Sequence, residues 1–575
     1  MANLAAAYWG HDSSICFYND QSKTFHVIEI EKLTGIKHYR GHARYEEQKE
    51  ILERCLKVSE EDFGIENDYD VFIVGSDVDE QINPLCLDPD IVQQVFNVRE
   101  TTTHHRHHAA HAWGAYAQSP WVTKPCTVFT HDAGGDDGHT HIWRVDSKRL
   151  RSLNKVNYDR TTYGYIDTRF FGRNYNISAG LGCQNMVGVT PNPLDMAGKV
   201  MGASAYGDHM SYFGHCGKGL INEDKEITEA INPSFPWFRR QYMKTEQGLV
   251  RDNIMRYGRT FSSGKEHNYF QMFISPLQLT WEEECDVAAG IQRQHEDNVL
   301  EYLQTPRVWE EIVRNGKRLV ISGGCGLNIL TNTRIQDELG LEVFVPPDVN
   351  DSGLPFGMLC KYMAVNGMSE FEGVDIRYAG QPIQDMELLD VHKSTIITLE
   401  QLADLLKDDK ILGLVQGTSE VGPRALGNRS IICDPKGWDK KDKVNIVKRR
   451  ENYRPFAPMV RQEDAHIYFE ATSYDNLEYM NFSVKAREEY KEELAAVTHV
   501  DGTARVQSVT RKSNALVYDL LSACGGVLLN TSFNVRGKPI LNTLKEAFEV
   551  LEETALDGVV VYHDEKLHYF TSELL

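Results

Sequence analysis

The sequence predicts an α/β protein built from two units that meet near residue 385. The chain has 575 residues, which is more than one ordinary hydrophobic core accommodates. Short apolar runs that end in polar, glycine-rich turns alternate with longer amphipathic patterns, as the strands and helices of an α/β protein do. This periodicity lapses in VDIRYAGQPIQDMELLD, residues 374–390, and recovers afterwards. No internal repeat is apparent.

Composition and charge exclude several classes of protein. The chain has 61 basic and 83 acidic residues, a net charge of -22, which disfavours a non-specific polyanion binder. No apolar run approaches the ~18 residues of a membrane span, and the N-terminus lacks the basic segment of a signal peptide. The eleven cysteines are odd in number and include no C-x-x-C pair, as is typical of reduced thiols. We therefore expect a cytoplasmic protein with no membrane partner.

The first unit, residues 1–385, begins with a predicted antiparallel meander. LAAAYWGHDSSICFYND and TFHVIEIEK alternate like strands joined by tight turns. His11 falls in the first turn, where an imidazole near its ordinary pKa can act as a general base. A turn histidine without chemistry is the alternative. YDVFIVGSD and CTVFTHDAGG predict two further buried strands.

A histidine-rich segment, HHRHHAAHAWGAY at residues 104–116, lies between those two strands. Its alanines favour a helix. His107 and His111 are four residues apart, so on a helix both imidazoles project from one face and suit a single metal ion. His104 and His108 are expected to point elsewhere on the same helix. A polar helix surface with spare histidines is the alternative.

Two aspartates in glycine-framed turns are candidate partners for those histidines. Asp132 ends an apolar run just before Gly134 and Gly135, whose backbone N–H groups could approach a phosphate while the carboxylate faces a cation. Asp351 lies in VPPDVNDSGLPFG. Two histidines and two aspartates form a mixed nitrogen and oxygen set that suits Fe(II), Mn(II) or Zn(II) alike. Each aspartate taken alone is equally explained as a turn former or helix cap.

The rest of the first unit is predicted to contain a long helix, a strand and an insertion. Residues 281–313 form an amphipathic helical pattern interrupted near Pro306, and RLVISGGCGLNILTN reads as a strand and a glycine-rich turn. Residues 205–275 are aromatic and weakly periodic, as in an insertion that faces a substrate. Within them, residues 234–273 hold seven basic residues, three acidic residues and nine aromatics.

That basic and aromatic stretch is a candidate surface for an anionic acceptor. Lysine and arginine can contact phosphates, and aromatic rings can stack on an extruded base, so nucleic acid stays open as an acceptor. A packed insertion with a salt-bridged surface is the alternative. The candidate acceptor-binding residues are Trp237, Arg239, Arg240 and Tyr242.

The second unit, residues 386–575, contains basic motifs framed by glycine or proline. EVGPRALGNRS and KRRENYRPFAP are rich in arginine, whose planar guanidinium matches phosphate bidentately. LLNTSFN ends a predicted strand in amide and hydroxyl groups suited to a carbonyl, an amide or a phosphate. A solvated basic loop is the alternative. The cationic side chains of the two motifs are Arg424, Arg429, Lys448, Arg449, Arg450 and Arg454.

Taken together, these motifs resemble the O-carbamoyltransferases of nodulation and antibiotic tailoring. The match covers nearly the whole chain, in the order GHDSS, HHAAHA, the turn at 132–135, GGCGLN, DSGLPFG, EVGPRALGNRS, KRRENYRPFAP and LLNTSFNVRGKPI. The resemblance implies an N-terminal actin-like ATPase domain (Kae1-like) at 1–385 and a C-terminal YrdC-like α/β domain at 386–575. It also implies two reactions. Carbamoyl phosphate and ATP with Mg²⁺ form carbamoyl-adenylate and pyrophosphate in the second domain. The carbamoyl group then passes to an acceptor hydroxyl in the first domain, with release of AMP.

The resemblance also assigns roles to individual residues. His11 corresponds to the general base, and Fe(II), or another divalent ion, would bind His107, His111, Asp132 and Asp351. The implied contacts to the adenylate are Asp12, Gly134, Gly135, Gly324 and Asn328. The implied contacts to carbamoyl phosphate and ATP are Arg424, Lys448, Arg450, Arg454, Arg505, Asn530, Thr531 and Ser532.

The acceptor is not implied, because members of the family differ at residues 205–275. A small hydroxylated molecule, such as a sugar or an antibiotic intermediate, stays open. A hydroxymethylated base in DNA, such as 5-hydroxymethylcytosine, and a homodimer also stay open. A tRNA threonylcarbamoyl-type transferase is one rival function, which the two-domain motif set and the acidic charge disfavour. A non-catalytic actin-like scaffold is another, which the paired histidines and dense arginines disfavour.

Overall fold

A computed structural model describes residues 3–41, 44–75, 87–104, 106–135, 138–146, 149–156, 175, 183, 193–209, 211 and 280–575. These residues form an α/β structure, as predicted from the sequence. The strands are β1 (Asn3–Tyr8), β2 (Ser14–Asn19), β3 (Thr24–Glu29), β4 (Tyr69–Gly75), β5 (Val98–His104), β6 (Thr127–Gly135), β7 (Gly138–Asp146), β8 (Arg149–Val156), β9 (Arg318–Ser322), β10 (Glu342–Phe344), β11 (Thr395–Ile397), β12 (Leu412–Gln416), β13 (Arg429–Cys433), β14 (Ala457–Arg461), β15 (Phe469–Glu470), β16 (Val484–Ala486), β17 (Thr503–Ala504), β18 (Gln507–Val509), β19 (Val527–Ser532), β20 (Gly558–His563) and β21 (Lys566–Phe570).

The helices lie on the faces of the sheets and between them. They are α1 (Ile30–Thr34), α2 (Tyr45–Glu61), α3 (Pro89–Val95), α4 (His107–Gln118), α5 (Pro193–Ala203), α6 (Trp281–Leu303), α7 (Pro306–Arg314), α8 (Ile329–Leu339), α9 (Leu354–Val365), α10 (Leu388–Val391), α11 (Leu399–Lys407), α12 (Trp438–Lys448), α13 (Ala465–Tyr468), α14 (Ala515–Cys524) and α15 (Leu544–Glu553).

Two five-stranded sheets in the first unit have the same topology. Their strand orders are β3-β2-β1-β4-β5 and β10-β9-β6-β7-β8. Counted along the chain, the first three strands of each sheet form an antiparallel meander. The fourth strand pairs in parallel with the first, and the fifth pairs in parallel with the fourth. Because no sequence repeat accompanies it, this duplication is a property of the backbone that the sequence did not predict.

The predicted meander and the interrupted long helix are both present. Strands β1, β2 and β3 form the antiparallel meander. Helix α6 begins with a capping box in which Thr280 and Glu283 satisfy each other's backbone N–H groups. Proline cannot donate a backbone hydrogen bond, so it is tolerated at the first turn of a helix rather than inside one. The pattern accordingly breaks at Leu303, and α7 begins at Pro306.

Helix α4 is held between the sheets by a close crossing with α9. A Cβ atom at Gly357 would lie 1.9 Å from the carbonyl oxygen of Ala110, so only glycine allows this approach. Gly114 faces the Cα of Gly357 at the same crossing. Every residue of α4 from His107 to Ala117 is buried. The crossing thereby sets the position of the histidines in the first turns of α4.

The prediction that His104 lies on this helix is wrong. His104 ends β5, which pairs in parallel with β4 up to Gly75. Arg106, with φ -152° and ψ 78°, is outside the helical region and marks the start of α4. Continued strand pairing overrides the helix propensity of the segment at this end. His105 lies outside the described residues.

Residues after 394 form a separate eight-stranded sheet of order β11-β21-β20-β12-β13-β19-β14-β18. Helices α11 and α14 pack on one face of it through Leu402, Leu406, Leu520 and Leu521. On the other face, α12 and α15 share one apolar cluster with Val345 and other residues of the first unit. Isolated bridges also join Pro382 and Gln384 to the later residues. The boundary near residue 385 stays a prediction.

None of the helices in the described part of the chain is long and apolar enough to cross a bilayer.

Candidate active site

Four side chains converge between the two sheets of the first unit. Ligand atoms of His107, His111, Asp132 and Asp351 all lie within 4.8 Å of one another, and all four residues are buried. The Nε2 atoms of the two histidines are 3.1 Å apart. Asp351 Oδ1 lies 3.3 Å from His111 Nε2 and 3.7 Å from His107 Nε2. Asp132 Oδ2 lies 3.7 Å from His111 Nε2. The structure thus brings the four predicted metal ligands together.

Each ligand comes from a different kind of local structure. The histidines occupy adjacent turns of α4, and Asp132 lies in β6. Asp351 starts the short 3₁₀ turn that precedes α9. Burial raises the pKa of Asp351, but the histidines around it, His11 among them, outweigh burial and hold that pKa below its ordinary value. A mixed set of two imidazoles and two carboxylates fits a divalent transition-metal ion.

Three further groups orient these ligands, and two of them were not predicted. Tyr8 Oη donates to Asp351 Oδ2 at 3.0 Å. Ser322 Oγ lies 3.4 Å from His111 Nδ1. The backbone N–H of Gly324 donates to Asp132 Oδ2, whereas we predicted Gly324 as a contact to the adenylate. Partners of this kind fix the orientation of a metal ligand. Tyr8 and Ser322 each end a buried strand, and a polar residue at that position is the signal that could have found them.

The glycines after Asp132 do not form the predicted turn. Gly134 and Gly135 belong to β6, and Gly135 pairs with Gly138 of β7. The pairing register of β6 and β7 shifts between His131 and Gly135. The extra residues therefore form a bulge inside the hairpin rather than a turn at its end.

His11 lies beside the metal-ligand cluster, in the turn between β1 and β2. Its side chain is 28% exposed, and its Nε2 lies 3.1 Å from Asp351 Oδ2. Its Nδ1 lies 3.3 Å from Asp12 Oδ2, while the other Asp12 oxygen contacts His38 Nδ1 at 2.7 Å. These two histidines outweigh burial and hold the pKa of Asp12 below its ordinary value. Asp12 thus orients His11, and His38 is a member of this chain of contacts that we did not predict.

Two other histidines of the opening segment have structural partners. His108 Nδ1 lies 3.1 Å from Thr130 Oγ1, and its Nε2 lies 3.1 Å from the carbonyl of Gly138. Burial, together with neighbouring histidines, lowers the pKa of His108 well below its ordinary value. A neutral His108 therefore ties α4 to β6 and β7. His104 Nε2 lies 2.9 Å from Lys361 Nζ.

A second polar centre lies in the unit after residue 385, where positive charges accumulate. Burial, followed by the charges of Arg450, Arg454 and Lys37, lowers the pKa of Lys448 well below its ordinary value. Burial and neighbouring guanidinium groups act in the same direction on Arg505, and they lower the pKa of Arg424 to about 10. We call this the cationic cluster; it consists of Arg424, Lys448, Arg450, Arg454 and Arg505.

The loop after α12 holds part of the cationic cluster in place. Arg450 donates from Nε to Asn445 Oδ1 at 2.8 Å and from Nη2 to the carbonyl of Pro455 at 3.2 Å. Its guanidinium lies over the ring of Phe456, 4.2 Å from the centroid. Lys448 Nζ donates to Ser532 Oγ at 3.1 Å.

Several polar atoms of this centre have no partner. Within the described residues, no hydrogen bond is made by the buried Nε of Arg424, the buried Nε of Arg505 or the buried Oδ1 of Asn530. Glu451 is the only described carboxylate within ion-pair distance of the cationic cluster. Buried polar groups are normally hydrogen-bonded and buried charges are normally paired, so this centre has the properties of an anion site.

Other predicted residues of the two centres have structural roles. Arg429 is fully buried and donates to backbone carbonyls, including those of Asn428 and Gly417. Arg449 adopts a left-handed conformation after α12 and reaches Glu553 instead of the cluster. Neither belongs to the cationic cluster with which we grouped it. Asn328 accepts from the backbone N–H of Thr331 as the cap of α8.

A single loop of the first unit approaches both centres. Residues 35–41 dock on the turn that carries His11, since the N–H of Ser13 donates to the carbonyl of Tyr39. His38 of this loop contacts Asp12. The charge of the preceding residue, Lys37, contributes to the lowered pKa of Lys448.

The predicted acceptor-binding residues lie outside the described residues. They are Trp237, Arg239, Arg240 and Tyr242.

Two family models match the chain. One, described as carbamoyltransferase N-terminus, matches residues 66–360, and the other, described as carbamoyltransferase C-terminus, matches residues 403–564. The chain belongs to the carbamoyltransferase family. The resemblance inferred from the eight sequence motifs is therefore confirmed.

Curated relatives match over different shares of their length. Nodulation protein NolO of Bradyrhizobium diazoefficiens is 36% identical over 48% of this chain and 53% of its own. Nodulation protein NolNO of Sinorhizobium fredii is 30% identical over 79% of this chain and 62% of its own. The 3'-hydroxymethylcephem-O-carbamoyltransferase of Amycolatopsis lactamdurans is 30% identical over 80% of this chain and 79% of its own. The chain thus spans less than two thirds of the two nodulation proteins.

Proposed function

We propose that the chain is an ATP-dependent O-carbamoyltransferase that makes carbamoyl-adenylate at the cationic cluster and uses it beside the metal-ligand cluster. The observation that carries this proposal is the pairing of two unlike centres. One is an accumulation of cations with a single carboxylate partner among the described residues, and the other is a buried histidine and aspartate set next to an oriented imidazole. Family membership supports carbamoyl transfer as the reaction.

In the first step, carbamoyl phosphate and ATP react to form carbamoyl-adenylate and pyrophosphate. For phosphorus and oxygen to balance, one water is also consumed and one phosphate is released. Water breaks the bond between the carbamoyl group and its phosphate, and a carboxylate oxygen of the resulting carbamate displaces pyrophosphate from the α-phosphorus of ATP. Arg424, Arg450, Arg454 and Arg505 would bind the phosphate groups, with Lys448 as a point charge. The amide oxygen of Asn530, which accepts no hydrogen bond among the described residues, would accept one from the carbamoyl NH₂ group. Thr531 and Ser532 lie on the same strand end.

In the second step, the acceptor hydroxyl attacks the carbamoyl carbon and AMP leaves. His11 would take the hydroxyl proton, and the carboxylates of Asp12 beside Nδ1 and Asp351 beside Nε2 would stabilise the imidazolium that forms. The bond that breaks joins the carbamoyl carbon to the phosphate oxygen of the adenylate. A divalent ion held by the four ligands would supply positive charge against that phosphate.

We assign Fe(II) to the metal-ligand cluster, with another divalent ion as the alternative. Four buried donors, two nitrogen and two oxygen, suit a first-row metal ion, but ligand softness alone does not choose among Fe(II), Mn(II) and Zn(II). Metal analysis of the protein purified without oxygen tests this assignment.

We also assign an actin-like fold to the first unit and a YrdC-like fold to the second. The duplicated topology of the two five-stranded sheets supports the first assignment. The cationic cluster at one end of the large mixed sheet supports the second. An actin-like scaffold without activity is disfavoured, since it has no need of a buried metal-ligand set or of buried arginine Nε atoms that make no hydrogen bond among the described residues.

For the acceptor, we favour a small molecule with a hydroxymethyl group. The name of the Amycolatopsis relative specifies a hydroxymethyl acceptor. Hydroxymethylated DNA is the second candidate, on the basis of the seven basic residues and nine aromatics at residues 234–273. The two can be separated by salt, because binding through phosphate contacts weakens by orders of magnitude between about 50 and 200 mM salt.

The experiment offers the protein ATP, carbamoyl phosphate and a panel of acceptors that includes 3'-hydroxymethylcephem compounds and hydroxymethylated DNA. We expect mass spectrometry to detect an acceptor in which one carbamoyl group has replaced a proton. Omission of ATP or of carbamoyl phosphate should abolish the product. A carbamoylated acceptor that forms equally well without ATP would contradict the adenylate route.

A further inference from the structure

Helix α5, in the first unit, rests on the loop that carries part of the cationic cluster. Gly202 lies within van der Waals range of this loop, since a Cβ atom there would be 3.8 Å from Pro455 Cδ. Tyr206, just beyond α5, donates from Oη to the carbonyl of Tyr453 at 3.3 Å. The ring of Trp281, which begins α6, lies 4.9 Å from that of Tyr453. Residues 451–455 are therefore held from the first unit as well as by their own sheet.

The charged contact of this interface is between Lys199 and Glu451. Lys199 Nζ lies 3.1 Å from Glu451 Oε1, and the two side chains are 13% and 21% exposed. The same oxygen lies 3.3 Å from Arg536 Nη2. The other oxygen, Oε2, lies 3.8 Å from Arg454 Nη1, which is a loose contact. Glu451 is thus turned towards Lys199 and is only weakly engaged with the cationic cluster.

We propose that Lys199 is a positioning residue for the adenylate-forming site, which it serves by holding the Glu451 carboxylate away from Arg454. A carboxylate that closed on Arg454 would compete with an anionic substrate for the same guanidinium, since both bind it through the same N–H groups. Lys199 supplies an alternative cation and leaves Arg454 available for carbamoyl phosphate. This inference rests on the proposed function, because it assumes that the cationic cluster binds phosphate groups.

The test measures pyrophosphate release from ATP as carbamoyl phosphate is varied. We expect Lys199→Met to raise the KM for carbamoyl phosphate roughly threefold or more, because the loss of one ion pair near a surface changes an equilibrium constant by about this factor. The kcat should change less. Lys199→Arg should restore the wild-type KM because it keeps the cation. Lys410→Met is the matched control, since that lysine forms an ion pair with Asp557, and the two residues precede β12 and β20.

A double variant separates this role from a loss of packing. Glu451→Gln cannot neutralise Arg454, so Lys199→Met combined with Glu451→Gln should have the KM of Glu451→Gln alone. Supplied carbamoyl-adenylate should be consumed by Lys199→Met at the wild-type rate. The inference is overturned if Lys199→Met leaves the KM unchanged, or if the double variant keeps the raised KM of Lys199→Met. Absence of pyrophosphate release from the wild-type protein would instead refute the proposed function itself.

Discussion

At the residue scale, the metal-ligand cluster shows what residue spacing can predict and what it cannot. His107 and His111 could be paired from the sequence, because four residues on a helix return to the same face. Asp132 and Asp351 were candidates because they lie in glycine-framed segments, the resemblance assigned them to the ligand set, and the structure brings them to these histidines. Tyr8 and His38 were not predicted, since each makes its contact only after strands and loops distant in sequence have assembled.

His11 is predicted to act in the transfer step alone. His11→Ala should abolish carbamoylation of the acceptor and leave pyrophosphate release intact, because His11 contacts Asp12 and Asp351, which lie at the metal-ligand cluster. Product formation and pyrophosphate release are measured in the same reaction. His563→Ala, which removes an exposed histidine paired with Asp564, is the control. Equal loss of both reactions would refute the role assigned to His11.

Tyr8 is predicted to strengthen metal binding through Asp351. Tyr8→Phe removes the 3.0 Å hydrogen bond to Asp351 Oδ2 and should weaken the affinity for Fe(II) about 10- to 100-fold, as is typical of lost outer partners of metal ligands. The measurement is a chelator competition with the metal alone. Tyr18→Phe is the matched control, because the buried Tyr18 hydroxyl has no hydrogen-bond partner among the described residues. An unchanged affinity in Tyr8→Phe contradicts this account of the site.

At the element scale, local patterns predicted most strands and helices, and the errors occurred where tertiary structure overrides them. The break before Pro306 follows from the chemistry of proline and could be predicted. His104 was placed on α4 because the segment favours a helix, yet pairing with β4 extends β5 through it. Gly134 and Gly135 read as a turn, but β6 continues through them. Local patterns in a single sequence do not identify the distant strand that will pair with such a segment.

The crossing of α4 and α9 gives a prediction about stability. Gly357→Ala should destabilise the fold by about 1–3 kcal/mol, the range for overpacking, because the new Cβ would meet the carbonyl of Ala110. Chemical denaturation measures the change. Gly198→Ala is the control: Gly198 lies in α5 with no atom within 4 Å of its Cβ position, so the substitution should be neutral or stabilising. Equal effects of the two substitutions would falsify the close-crossing explanation.

At the scale of the whole molecule, two centres divide the work in the proposed reaction. The motifs predicted both centres. The histidine pair indicated the metal-ligand cluster, and the arginines framed by glycine and proline indicated the cationic cluster. They did not predict the duplicated sheet topology, which leaves no repeat in the sequence. Nor did they predict the contacts of α5 with residues 451–455, since these join segments that are far apart in the chain. The apolar cluster shared by the two units was not predicted for the same reason, because its residues come from distant segments of the chain.

In the proposed reaction, the cationic cluster makes an activated carbamoyl group for use at the other centre. The most direct measurement is pyrophosphate release from ATP and carbamoyl phosphate, followed by a chase with carbamoyl-adenylate and an acceptor, in the wild-type protein and in Arg450→Ala. We predict that wild type releases pyrophosphate only when both substrates are present. Arg450→Ala should release none, yet still consume supplied carbamoyl-adenylate. Failure of wild type to release pyrophosphate, or failure of Arg450→Ala to use the supplied adenylate, would contradict the account.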